Sequence, residues 1–191
     1  MDTRISLLES AERAVRERGY NGFSYADLAR EIGIRKASIH YHFPTKANLG
    51  SAMIERYSAR FFGSLADIAE TGQSAADQLR AYIQVYRDAL ATGTQVCLCV
   101  SLSASRDSLS SEMLDRLNRF HEDSVAWLTQ LFDRAAQDKS IANLAPADRE
   151  ANAALALVEG AQLLARARKD VAPFDQALAT LTARLASPPL H

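Results

Sequence analysis

Glycine and proline are scarce, eight and five in 191 residues. A turn-rich all-β sandwich or barrel uses more of both, which sets that class aside. Cysteine is scarcer still. Cys97 and Cys99 are too few and too close together for a disulfide framework, and in a reducing compartment both are expected to be thiols. No apolar run approaches the ~18 residues of a membrane span. The opening Met-Asp-Thr-Arg has no apolar stretch of signal-peptide length. These absences predict a cytoplasmic chain with no membrane partner. No Gly-rich phosphate loop, Gly-x-Ser-x-Gly or His-Glu-x-x-His occurs. The histidines are His40, His42, His121 and His191, and only His121 could serve Cys97 as a base. Two thiols and distant histidines lack metal-ligand spacing. No catalytic residue, metal or cofactor is therefore expected.

What is present is helix-forming and apolar. Hydrophobic residues make up 48% and charged residues 24%, enough to build a core and to exclude wholesale disorder. The length suits one domain, or one with a small appendage. Net charge is −1, but it is unevenly spread. Residues 1–50 carry +2 and the rest −3, and the stretch from Arg30 to Lys46 holds four cations, one Glu and two His. A small basic patch on a near-neutral body points modestly to a polyanion.

Alanine, leucine, arginine, glutamate and glutamine dominate, and no segment sustains period-2 alternation. The first helix is placed at about 3–18, with Ile5, Leu8, Ala11 and Val15 at helical spacing and Gly19 ending it. Ser24 reads as an N-cap with Asp27 three residues on. A short helix 25–32 follows, then the turn Gly33-Ile34, a helix 35–42, Pro44 as a stop and Thr45 as the next cap. The fourth helix is long. Later helices are expected at about 74–91, 95–105, 110–138, 148–168 and 173–186. The predicted fold is all-α with about nine helices. A three-helix N-terminal head over 1–46 joins a larger helical domain over 47–191.

Two short helices around a Gly-containing turn make a helix-turn-helix. Leu28, Ile32, Ile34 and Ile39 supply its small core. Arg35, Lys36, Ser38, His40, Tyr41 and His42 are left facing outward on the second helix, a set of donors and an aromatic on an element that fits the major groove. Ser24 and Lys46 sit at helix starts, where backbone N–H groups and an ammonium can hold phosphates. The competing reading is a plain helical pair in an all-α core.

Residues 20–50, YNGFSYADLAREIGIRKASIHYHFPTKANLG, closely resemble the DNA-binding signature of TetR-family transcriptional repressors. The resemblance covers about the first 50 residues; the rest agrees in length and helical layout. It implies a two-fold dimer on nearly palindromic double-stranded operator DNA, with half-sites ~34–36 Å apart. It also implies a contact set of Ser24, Tyr25, Lys36, Ala37, Ser38, His40, Tyr41, His42 and Lys46, with Arg35 beside them. Lys36 and His40 are assigned base edges or nearby phosphates. Ser24, Tyr41, His42 and Lys46 are assigned the backbone, and His42 could instead be a hydrogen-bonded turn residue. The family more often has Tyr where this chain has His40.

A repressor needs a small-molecule inducer or another release signal. Candidate pocket residues are Met53, Tyr57, Phe61, Phe62, Tyr82, Tyr86, Leu102, Phe120, His121 and Trp127; each could equally be ordinary core. The fourth helix is the expected lever. Cys97, placed at the third position of a helix capped by Thr94, would have a lowered pKa; a buried, inert thiol is the bland reading. Residues 97–102, Cys-Leu-Cys-Val-Ser-Leu, are similar to the corresponding stretch of electrophile-responsive members of the family. The dimer is placed on helices 148–168 and 173–186, through Leu155, Val158, Gln162 and Ala165 and through Phe174, Ala177, Leu178, Leu181 and Leu185. Competing functions are a helical protein-interaction module and a thiol-dependent enzyme without DNA binding.

Overall fold

The computed structural model describes residues 2–71 and 73–185. Among them are nine α-helices: α1 Thr3–Arg18, α2 Tyr25–Ile32, α3 Lys36–His42, α4 Lys46–Glu70, α5 Ala75–Asp88, α6 Leu98–Ser103, α7 Ser111–Asp138, α8 Ala147–Arg168 and α9 Ala172–Thr182. The architecture is all-α with an N-terminal helix-turn-helix. No helix among the described residues is long and apolar enough to cross a membrane.

The helix starts follow from local chemistry. The Asp2 carboxylate accepts the N–H of Arg4 at 2.9 Å and opens α1. Ser24 and Asp27 form a reciprocal capping box at the start of α2. Thr45 and Asn48 exchange side-chain and backbone hydrogen bonds at the start of α4, at 3.1 and 3.2 Å. Gly33 takes a left-handed φ of +72° after α2, and its N–H donates to Ala29. An added Cβ there would meet nothing within 4 Å. Glycine is therefore needed for the backbone angle and not for space.

The chain forms two compact units. The first comprises residues up to 61 together with 97–120. In it α1 packs on α2 and α6, and α2 on α3. Leu7, Leu8, Ala11, Leu28, Ile39 and Leu49 are buried, whereas Ile5 is 41% exposed, so the inward stripe of α1 is shifted from the one the spacing suggested. The buried Glu12 of α1 pairs with Arg60 of α4 at 2.5 Å, and Arg16 and Arg56 lie 3.6 and 4.0 Å from it. Arg56 also holds Glu9 at 2.7 Å. Three guanidinium groups gathered on one buried carboxylate fasten α1 to the middle of α4. Ser101 of α6 donates to the buried carbonyl of Val15 at 2.6 Å.

The second unit comprises 62–96 and the chain from 121 onward. Its largest internal packing is α8 on α9. The side-chain amide of Gln162 donates to the carbonyl of Tyr86 at 2.6 Å and ties α8 to α5. Arg87 forks onto Asp175 at 2.7 and 2.9 Å and ties α5 to α9. Asp138 and Ser140 accept the N–H groups of Ala75 and Ala76 at the start of α5.

Three helix lengths differ from the sequence expectation. The fifth helix ends at Asp88 and not at 91, because Ala91 and Gly93 both take positive φ. An added Cβ at Gly93 would sit 2.6 Å from the backbone nitrogen of Asp170, so this turn packs against the chain after α8. The sixth helix is six residues long and starts at Leu98, with Cys97 as N-cap in place of Thr94. The last helix ends at Thr182; Leu185 then makes an antiparallel bridge with Ile141. Residue 186, where that helix was expected to end, lies outside the described residues.

Candidate functional site

The candidate nucleic-acid interface is built on α2 and α3. Ile39 is fully buried and Phe43 nearly so, which fixes the inward side of α3. Arg35, Lys36, Ala37, His40 and Tyr41 are exposed, and Ser38 and His42 half-buried. Tyr41 is 85% exposed, an unusual position for a large aromatic ring. An open groove of about 530 Å³ lies along this face, lined by Thr3, Ile34, Arg35, Ala37, Ser38, Tyr41 and His42. Thr3 and Ile34 were not in the expected contact set. Thr3 lies in the first helix, more than thirty positions away, so local spacing gives no hint of it.

The remaining members of the expected set are tied into the fold. Ser24 is exposed, and its N–H and hydroxyl both donate to the Asp27 carboxylate, at 2.9 and 2.7 Å. Those bonds hold the Asp27 carboxyl below its usual range. Tyr25 is buried, and its hydroxyl donates to the carbonyl of Phe43 at 3.0 Å. Burial, with a smaller contribution from Tyr20, pushes its pKa up to about 12. The His40 ring rests edge-on against Tyr25, centroids 5.0 Å apart, with Nδ1 3.2 Å from the Pro44 carbonyl oxygen. His42 stands edge-on to Tyr41 at 5.3 Å. The Lys46 ammonium donates to the carbonyls of Tyr20 and Phe23, both at 2.7 Å. It also lies 4.1 Å from the centroid of the Phe23 ring and 4.7 Å from that of Tyr20. Burial lowers its pKa.

The expected sensor residues fall into two sets. In the first unit, Phe61 lies 6.3 Å from Tyr57 and 5.0 Å from Phe120, with Met53, Cys97 and Leu102 buried in the same unit. The Tyr57 hydroxyl donates to the Cys97 sulfur at 3.1 Å. Burial, and then the nearby Cys97 and Cys99, raise the Tyr57 pKa well above its ordinary value. In the second unit Tyr82 stacks on Trp127 at 5.5 Å and meets Tyr86 at 5.1 Å. His121 there lies 3.5 Å from the Glu159 carboxylate. Phe62 is half-buried.

Neither cysteine is in a disulfide, and both are buried. The argument from a helix first turn does not carry over to Cys97. It precedes α6 as the N-cap, makes no side-chain cap bond, and its sulfur meets the Tyr57 hydroxyl.

The expected dimer stripe on α8 is also revised. Leu155, Val158, Gln162 and Ala165 are buried within the chain, as are Phe174, Leu178 and Leu181 of α9. The outward side of α8 carries another apolar series: Ala153, Ala156, Gly160, Leu163, Leu164 and Ala167, all exposed. Leu163 and Leu164 are 44% and 54% exposed. A groove of about 310 Å³ adjoins this side, lined by Ala153, Leu157, Thr180 and Leu181 with the Glu150–Arg184 pair.

Comparison with known proteins adds a lineage. Residues 7–53 match the family described as bacterial regulatory proteins, tetR family, and residues 75–181 match the tetracyclin repressor-like C-terminal domain. The HTH-type transcriptional repressor NemR of Escherichia coli is 27% identical over 98% of this chain and 96% of its own. The crystal structure of E. coli NemR in its reduced form superposes with a TM-score of 0.84 over both whole chains, at 26% identity. A TetR-family regulator from Agrobacterium tumefaciens superposes with a TM-score of 0.90, covering 96% of this chain and 97% of that one, at 29% identity.

Proposed function

Because the chain belongs to the tetR family of bacterial regulatory proteins, we propose that it is a transcriptional repressor that dimerises on a palindromic operator and leaves it on binding a small molecule or on thiol modification. The observation that carries the DNA half of this reading is the outward face of α3. Arg35, Lys36 and Tyr41 stand exposed, with Ser38 half-buried beside them, on an element whose opposite side is sealed by Ile39. Donors on a short, buttressed helix suit base edges and phosphates.

The groups assigned to DNA take different parts. Arg35, Lys36, Ala37, Ser38, His40, Tyr41 and His42 form the contacting face. Tyr25 and Lys46 support it from below, since their polar atoms are committed to the carbonyls of Phe43, Tyr20 and Phe23. The outward apolar series of α8 supports a helix-on-helix dimer, where small residues permit close approach. Two recognition helices related by that two-fold axis would meet half-sites about one DNA turn apart, ~34–36 Å.

Two features support a sensor. The aromatic sets around Tyr57 and around Tyr82 offer stacking surface for an apolar or aromatic inducer. The Tyr57–Cys97 contact supports a thiol route: alkylation adds bulk in packed surroundings at the sulfur that accepts the Tyr57 hydroxyl. Either event acts by favouring one of two conformations.

The test is a mobility shift of the purified protein on its own upstream intergenic DNA, with and without a thiol-reactive electrophile, using wild type and Cys97→Ser. A salt-sensitive shift is expected for both proteins, abolished by electrophile in wild type alone. A shift that electrophile leaves intact removes the thiol route and keeps the inducer route. No shift on upstream DNA and no sequence recovered from a random pool would remove the repressor reading.

A further inference from the structure

The polar groups on the outward side of α3 offer a base mainly donors. Arg35 and Lys36 only donate, and the Ser38 and Tyr41 hydroxyls rotate to donate or accept. His40 differs. Its ring is exposed, yet it is held twice: by the edge-on contact with Tyr25, 5.0 Å between centroids, and by Nδ1 at 3.2 Å from the Pro44 carbonyl. Tyr25 is itself anchored by its hydroxyl on Phe43. A carbonyl oxygen only accepts, so the proton of the neutral ring sits on Nδ1. Nε2 is then left as an acceptor.

The geometry points to His40 as the residue that sets base preference at one position of each half-site. Its Nε2 accepts a hydrogen bond from the exocyclic amine of an adenine or a cytosine in the major groove. Among base edges in that groove, A N6 and C N4 are the donors, while the guanine edge and T O4 only accept. A base pair that turned an acceptor toward Nε2 would leave two acceptors facing each other. The inference rests on the DNA-binding reading above and adds to it which base chemistry one residue selects.

The experiment is selection from a randomised half-site library at pH 8 with wild type and with His40→Leu. The wild-type pool is expected to favour one base pair at a single position per half-site, and the strand that carries its adenine or cytosine names the amine to be tested. The His40→Leu pool is expected to keep the other preferences and lose that one. The base recovered distinguishes the two amine sources. The amine is then deleted from the selected site, replacing adenine by purine or cytosine by 2-pyrimidinone. Wild-type affinity is expected to fall about tenfold, in line with the discrimination of one good base contact, and His40→Leu affinity to stay unchanged. The wild-type arm of this step needs no folded variant. Equal pools from the two proteins, or indifference of wild type to the deleted amine, would each overturn the role of His40 while leaving DNA binding in place. A library that yields no enriched sequence with wild type would overturn the DNA-binding reading, and this inference with it.

Discussion

Lys46 and Lys36 carry the same charge ten residues apart, and their surroundings are opposite. The Lys46 ammonium spends two of its three protons on the carbonyls of Tyr20 and Phe23 and lies over both rings. Lys36 is exposed at the start of α3. Lys46→Met is therefore expected to lower stability by about 2 kcal/mol, the scale of hydrogen bonds to a charged group, read as a shift in the urea midpoint. It should leave the salt dependence of operator binding unchanged. Lys36→Ala should do the reverse, keeping stability and reducing the slope of log K against log salt by about 1. Both lysines were legible in the sequence as cations in a basic stretch. Their division of labour was not, because the carbonyls that hold Lys46 lie 26 and 23 positions earlier in the chain. The burial of Tyr25 was hidden for the same reason: Phe43, its partner, lies 18 residues on.

At the scale of elements, an ion pair joins the start of α8 to the chain just past α9. Arg184, just past α9, meets the Glu150 carboxylate at 2.7 and 3.0 Å and also donates to the carbonyls of Ala142 and Asn143. The Arg184 guanidinium, and then the Ala145 N–H, hold the Glu150 carboxyl below its usual range against the opposing effect of burial. A carboxyl depressed in the folded state contributes fully above its unfolded pKa, ~4.3, and loses that contribution as pH falls through the folded value. Glu150→Gln is expected to cost about 1–3 kcal/mol at pH 7. The gap between variant and wild type should close as unfolding is measured at successively lower pH below ~4. A constant gap down to pH 3 would refute the assignment. Helix boundaries were read well where a cap acts within three residues, as at Ser24 and Thr45. They were misread at the end of α5, where the turn at Gly93 packs against Asp170, a contact 77 positions away.

For the molecule as a whole, the outward apolar series of α8 is the surface on which assembly is proposed. The helical spacing in the sequence showed an apolar stripe there but not which of two stripes faces out. Leu155, Val158 and Ala165 turned inward with Gln162, whose amide finds the Tyr86 carbonyl. Leu163 and Leu164 were left in solvent. Replacing both by Glu disturbs no buried side chain, so the variant should keep its helical content. It should run at half the mass in light scattering and bind operator roughly 100-fold more weakly, through loss of the linked second half-site. A dimer of unchanged mass would move the interface elsewhere.

The seclusion of the two thiols bears on time. Cys97 and Cys99 expose 1% and 0% of their surface, so a reagent reaches sulfur only while the surrounding packing is transiently open. The rate of modification is then the thiol's own reactivity multiplied by the fraction of time spent open. A short pulse of reagent would pass almost unrecorded, whereas a sustained low dose would accumulate. Warming or mild denaturant should quicken the reaction far more than for a surface thiol. Such a protein would register the duration of an exposure as much as its concentration.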